Sequence, residues 1–313
     1  MHPIRFALLL VVLIAAAGCS NGIGSRYYIP RPESAELQVT SGSPTAQQVV
    51  AHLNQQASLI KALEAQDLTI SVNEGGLNSY TARGWLFYQK PRNFRLQAEA
   101  LRSTEADLGS NDNEFWFWFK RNKPPALFHC AYSEFAKAKN LNLPVHPDWV
   151  AEALGVQELS ATDGYQLRAL GQQSVELICQ TTSPQGQVYF KSLVLATKGP
   201  LAGRVIQQKL VEPVTSTQGK PTWQEVWVAD ISEYQNVAGF IVPKRVTLKC
   251  PKEKLTMDLK MEGCQVNPSN LLTSATVGKT FVRPAGYEEV DLGRYAETPD
   301  SANHIRTRAD ARE

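Results

Sequence analysis

From Leu68 onward the chain alternates apolar and polar residues, in short runs separated by turn formers. Successive side chains of a strand face opposite ways, so each run encodes a strand with one buried face. Leu68, Ile70 and Val72 open the series before Gly75-Gly76. Ala82, Gly84, Leu86 and Tyr88 lead into Lys90-Pro91-Arg92-Asn93, and Phe94, Leu96 and Ala98 lead out of it. Residues 105–109 and 114–120 make the next pair, followed by strand signals over 124–132, 164–170, 175–181, 188–197, 204–212, 222–230, 242–250 and 255–266. Short connections of this kind make an antiparallel meander. Two segments, 133–139 and 148–154, read as short helices broken by Pro144 and Pro147. In front of the strands, Thr45-Ala46-Gln47-Gln48 has the form of a capping box, and Val49, Val50, Leu53, Ala57, Ile60 and Leu63 recur at helical spacing. The spacing predicts one amphipathic helix ending near Gln66. The fold class is α+β, dominated by an antiparallel sheet of about ten or eleven strands.

The first residues carry a different instruction. His2 and Arg5 form a short basic head, and residues 6–17 run without a polar side chain. That run is shorter than the roughly 20 residues of a spanning helix and small residues follow it, as in a cleaved signal peptide. Ala16-Ala17-Gly18-Cys19 resembles the lipobox of bacterial lipoproteins, which implies cleavage before Cys19 and acylation of its thiol and new amino terminus. Each buried methylene contributes about 0.8 kcal/mol, so such chains would hold the protein on a bilayer. The location this implies is the bacterial cell envelope, with Ser20 favouring the outer membrane on its periplasmic side. An ordinary secretory signal, with Cys19 as a later disulfide partner, is the alternative. Residues 20–43 hold Gly22, Gly24, Pro30, Pro32 and Gly42 without a regular period and read as a tether.

Lysine and arginine number 32 against 30 aspartates and glutamates, and neither sign forms a long block, so nothing here points to nucleic acid. Lipidation of Cys19 would leave Cys130, Cys179, Cys250 and Cys264. In an oxidising compartment these could form two disulfides in three pairings, yet Cys179 and Cys250 end alternating apolar runs and equally suit buried thiols. Beyond Val282 the chain is polar and poor in large aliphatics, which reads as a loosely held tail.

The first hairpin carries a more specific pattern. Gly84-x-Leu86-x-x-x-Lys90-Pro91-x-x-Phe94-Arg95-Leu96 resembles the strand-turn-strand signature of the LolA/LolB lipoprotein-carrier superfamily. Leu101-Arg102-Ser103-Thr104-Glu105 is similar to the loop and returning strand of LolB. Pro144-x-His146-Pro147-x-x-Trp149-Val150-x-x-Ala153-Leu154-Gly155 is similar to its Pro-rich helical insert, and residues 239–246 to the closing strands. The resemblance spans residues 44–266. It implies an open half-barrel with helices plugging its mouth around an apolar cavity for acyl chains, a build shared by LppX-type lipid carriers. A lipidated member would be a receptor or stationary binder, its ligand a lipid or acylated lipoprotein. In LolB a protruding leucine serves transfer, which makes Leu101 a candidate tip for a membrane or protein partner. The other reading of Leu101 is that it ends the apolar face of its strand and packs in the core.

The run Phe115-Trp116-Phe117-Trp118-Phe119 sets three phenylalanines on one strand face and two tryptophans on the other, so both faces must be covered. Either this is a central strand between two layers, or one aromatic face lines a ligand cavity. Phe115, Phe117, Phe119, Leu86, Leu96 and Trp149 are the cavity candidates. His52, His129, His146 and His304 are scattered and give no zinc spacing. No nucleophile elbow, phosphate loop or His-Glu-x-x-His is present, and Glu105 with Asp107 reads as a solvated strand face. The expectation is a protein without cofactor or catalysis, divided into a signal peptide (1–18), a lipidated tether (19–43), the half-barrel (44–272) and a polar tail (273–313). It binds an acyl chain, lipid or lipoprotein, with a sorting role among the options. An envelope scaffold that docks another protein is the alternative.

Overall fold

The structure, a computed structural model, describes residues 44–75, 78–121, 125–137, 147–215 and 221–295. Cys19 and the segments assigned to signal peptide and tether lie outside the described residues. Helix α1 (Ala46–Ala57) precedes strands β1 (Ala62–Glu74), β2 (Asn78–Gln89), β3 (Asn93–Ala100), β4 (Ser103–Ser110), β5 (Glu114–Phe119) and β6 (Ala126–Ala131). Helices α2 (Tyr132–Phe135) and α3 (Pro147–Ala153) follow. The second run of strands is β7 (Gln166–Leu170), β8 (Ser174–Thr182), β9 (Val188–Ala196), β10 (Val205–Thr215), β11 (Pro221–Val237), β12 (Phe240–Cys250) and β13 (Leu255–Val266). Helix α4 (Ser274–Thr280), strand β14 (Glu288–Asp291) and helix α5 (Leu292–Tyr295) complete the order.

The fourteen strands among the described residues join one sheet, in the order β14-β6-β5-β4-β3-β2-β1-β13-β12-β11-β10-β9-β8-β7. Two meanders, one from each half of the chain, are therefore joined along β1 and β13, where Leu63 faces Val266 and Ile70 faces Leu259. The described pairs are antiparallel except β14 with β6. Register shifts in β1–β2, β10–β11 and β11–β12 add the local twist by which a wide sheet curls. Contacts across the sheet show the curl. Gln185 Nε2, in the β8–β9 turn, donates to Phe135 O, just past β6 at the opposite end of the order, at 3.0 Å. Helix α3 spans the opening, with Asp148 beside Arg92 of the β2–β3 turn and Glu152 bound to Lys191 of β9. This is the α+β half-barrel that the sequence implied, with more strands than the ten or eleven expected.

The capping box forms as expected: Thr45 Oγ1 accepts from Gln48 N, and Gln48 Oε1 from Thr45 N. The helix stops at Ala57, well short of Gln66. Asn267 explains the early end, because its Oδ1 accepts from the amides of Lys61 and Ala62 and its Nδ2 donates to Leu59 O. With those groups satisfied by the far end of β13, residues 62–66 gain more from pairing as β1 than from continuing a helix. Ile60 and Leu63 keep the apolar role that their spacing announced, but bury beneath α1 instead of on it.

Across β2 to β5 the register stacks Leu86, Leu96, Leu108 and Phe117 in one row on the inner face, where α1 and α3 cover them. The outer face of β5 buries Trp116 and Trp118 with Leu127. Gly109, opposite Trp116, is required there, since a Cβ at this position would lie 2.3 Å from the indole. Asp107 is enclosed beside it, accepting from Arg95, Gln97 and Trp116, so of the pair expected on a solvated face only Glu105, bound to the exposed Lys120, meets solvent. The segment after β13 covers this side. Arg95 Nη1 donates to Thr280 O at 2.8 Å, Phe281 is buried with Ala62 and Leu271, and the Tyr287 ring lies 4.8 Å from Trp118. Residues 280–287, past the boundary expected at 272, thus pack against this face of the sheet, and residues 296–313 of the expected tail lie outside the described residues.

Candidate functional site

Between the helical plug and the second meander lies a cavity of about 530 Å³. Its walls come from Trp149 of α3, Tyr132 and Phe135 of α2, and Tyr189, Leu210 and Trp227 of β9, β10 and β11. The Trp149 and Trp227 rings stack with centroids 6.0 Å apart and planes 21° apart. Strand alternation aims Trp227 inward with Ala229 and Ile231, and Leu210 pairs with Trp227 in register. A smaller cavity of about 190 Å³ lies under Leu53 of α1 and the loop after α3, and shares Glu152, Asp163 and Lys191 with the larger one. The Lys191–Glu152 ion pair, 2.8 Å long, stands where the two meet. Trp227 Nε1 and Gln208 Oε1 are buried with no hydrogen-bond partner among the described residues.

Trp149 is the one sequence candidate that lines the larger cavity. Leu86, Leu96, Phe117 and Phe119 contribute to the inner core, packed beneath the plug. Phe115 is buried in a separate cluster with Cys130, Phe135 and Leu292, its ring edge-on to Phe135 at 5.2 Å. It supports the cavity wall from behind. Period-two patterning does not tell which part of a curled face stays open. Trp227 and Tyr189 are not among the sequence candidates, and the inward alternation of Trp227, Ala229 and Ile231 is the signal that marks the first of them.

Leu101 is fully exposed at the tip of the β3–β4 turn, where Leu101 and Arg102 both hold positive φ, 50° and 62°. Cys130, Cys179 and Cys264 carry free thiols, and burial pushes Cys130 up to about 12 and Cys264 to about 11, so both stay protonated at neutral pH. Burial likewise raises the Cys179 thiol in the cavity wall. His129 lies 3.8 Å from Glu114 and 3.7 Å from Glu289, carboxylates that Arg283 also bridges, which fastens β14 to the edge of the sheet. Among the described residues no three His, Cys, Asp or Glu side chains converge as metal ligands, and no helix is long and apolar enough to cross a membrane.

No family model matches the sequence, and no curated protein is similar to it. The architecture is a curled antiparallel half-barrel with a helical plug, and solved structures of similar build are known. A DUF1329 family protein from Desulfovibrio piger matches with a TM-score of 0.46 at 10% identity, over 74% of this chain and 97% of its own. A LolA superfamily protein from Nitrosomonas europaea matches with a TM-score of 0.45 at 10% identity, over 74% of this chain and 99% of its own. A domain from Vibrio parahaemolyticus described as an outer membrane lipoprotein-sorting protein gives 0.46 and 10%, over 74% and 96%.

Proposed function

We propose that this protein is a lipid-anchored envelope protein that holds an acyl chain, free or as part of a lipid or lipoprotein, in the cavity between plug and sheet. The observation that carries the reading is the cavity itself. Its volume of about 530 Å³ falls in the range of roughly 300–1,000 Å³ usual for small-molecule sites. Trp149, Trp227, Leu210 and Phe135 give it an apolar wall, and the plug is a separate element that a ligand could displace. Moving such a plug exposes apolar surface at roughly 25 cal/mol per Å², a cost that a bound alkyl chain offsets by covering the same surface. The anchor is Cys19, on the strength of Ala16-Ala17-Gly18 before it. Leu101 serves as a contact tip for a membrane or partner. Lipoprotein sorting at the outer membrane is the role that fits these parts together, and no residue is assigned to catalysis.

Two measurements test the reading. Labelled palmitate should enter the wild type in cells and not Cys19→Ser, and equal labelling of both would remove the anchor. The mature Cys19→Ser protein, stripped of native lipid, should take up a fluorescent fatty acyl probe saturably, with a change in tryptophan emission from Trp149 and Trp227. A folded, stripped protein that takes up none would sink the binding reading. If a stoichiometric protein partner co-purified with no lipid, the scaffold alternative would replace it.

A further inference from the structure

Six carboxylates line the larger cavity, Asp148, Glu152, Asp163, Glu212, Glu225 and Glu253, against three cations, Arg92, Lys191 and Lys252. Two of the cations are already matched inside the wall. Arg92 Nε lies 3.7 Å from Asp148 Oδ1, and Lys191 Nζ lies 2.8 Å from Glu152 Oε2. Glu212 Oε2 accepts from the neutral amide of Gln187 at 2.6 Å, which leaves its charge in place. Among the described residues the cavity lining thus carries more carboxylates than cations, in a concave setting where low-dielectric walls focus the field.

The rings supply an independent observation. Trp149 and Trp227 stack in the cavity wall, with Tyr132 and Tyr189 beside them. The electron-rich face of an aromatic ring attracts a cation within about 6 Å of its centroid. This wall already holds one, because the guanidinium carbon of Arg92 sits 4.1 Å from the centre of the Tyr132 ring. A carboxylate or phosphate head with no balancing positive charge would meet a field of its own sign and rings that do not favour it. An ammonium group finds both features suited to it.

On the reading that the cavity takes an alkyl chain, we propose that its ligand carries an ammonium group at its head, held between the tryptophan pair and the carboxylates of Glu212 and Glu225. A zwitterionic lipid headgroup and a simple alkyl amine both present this chemistry.

The test uses the mature Cys19→Ser protein at low salt. Tryptophan emission is titrated with dodecyltrimethylammonium, dodecylphosphocholine and dodecanoate, each below its micelle concentration. Dodecyltrimethylammonium should bind about tenfold more tightly than dodecanoate. Glu212→Gln combined with Glu225→Gln should narrow that ratio by about threefold at an unchanged unfolding midpoint. Phosphocholine binding as tight as trimethylammonium supports the proposal with a lipid headgroup as source, and weaker phosphocholine binding supports it with a simple amine. Dodecanoate binding as tightly as the cation, or a ratio that the glutamine variants leave unchanged, overturns the ammonium head and leaves the alkyl-chain reading standing. Saturable binding of none of the three overturns both.

Discussion

The turn at Leu101 is unusual for its residues. Two-residue hairpin turns with positive φ at both positions favour Asn-Gly, because other side chains crowd the backbone there. This chain places leucine and arginine at φ 50° and 62°, at a cost of about 1 kcal/mol or more per residue. A large apolar side chain is thereby held fully in solvent where it buries nothing. Such a cost without a packing return fits a contact tip. Leu101→Asn with Arg102→Gly should therefore stabilise the protein by about 1 kcal/mol or more. Leu101→Glu should change stability by about 0.5 kcal/mol or less, against the 2–5 kcal/mol typical of a truncated core leucine. Both variants should lose delivery of bound lipid to vesicles; delivery at the wild-type rate by either would remove the tip's role. Sequence alone left Leu101 open, since strand alternation cannot tell the last inward residue from the first residue of a turn. The backbone angle decides it, and no pattern of polarity encodes that.

Helix α1 is held to the half-barrel by polar clamps as well as by its apolar face. Asn54 exchanges two hydrogen bonds with the backbone of Leu159, and Gln56 two with that of Ile241. His52 Nε2 lies 3.0 Å from Gly203 O, to which the neutral ring donates. Burial lowers the His52 pKa from the usual value of 6.5, the nearby Arg204 charge acts the same way, and the bond to Gly203 opposes them. A depressed histidine is protonated first in the unfolded chain, so its contribution to stability is present at neutral pH and is lost as pH falls through about 6.5. The unfolding midpoint should drop between pH 7.5 and 5.5, and His52→Gln, whose amide can still donate to Gly203, should drop less. An equal drop in both would assign the effect elsewhere. The start of α1 was legible because its capping box is local, whereas its end was not, because Asn267 imposes it from the far end of the chain. Strand β14 was hidden for a similar reason. Glu288-Glu289-Val290-Asp291 carries no apolar alternation, and it becomes a strand only because the edge of β6 offers a partner and Arg283 pairs with Glu289.

At the scale of the molecule, the class of fold and the two faces of β5 are legible in the sequence, and the helical plug is what the family resemblance implies. The sequence does not show where the inner face stays uncovered, because that depends on how far a sheet of fourteen strands curls before its ends approach the helices. The cavity wall accordingly draws mainly on the second meander, while the sequence candidates other than Trp149 of α3 come from the first. The seam between β1 and β13 also bears on how the protein reaches its folded state. Lys61 and Asn267 are bonded across 206 positions of sequence, so the centre of the sheet is assembled from residues that emerge far apart in time. Loop closure over such a span is slow, and an unpaired β1 is an open edge until β13 arrives. A chain that crosses a membrane from its amino end would expose that edge through most of its passage, and a chaperone for the nascent polypeptide would find its work there.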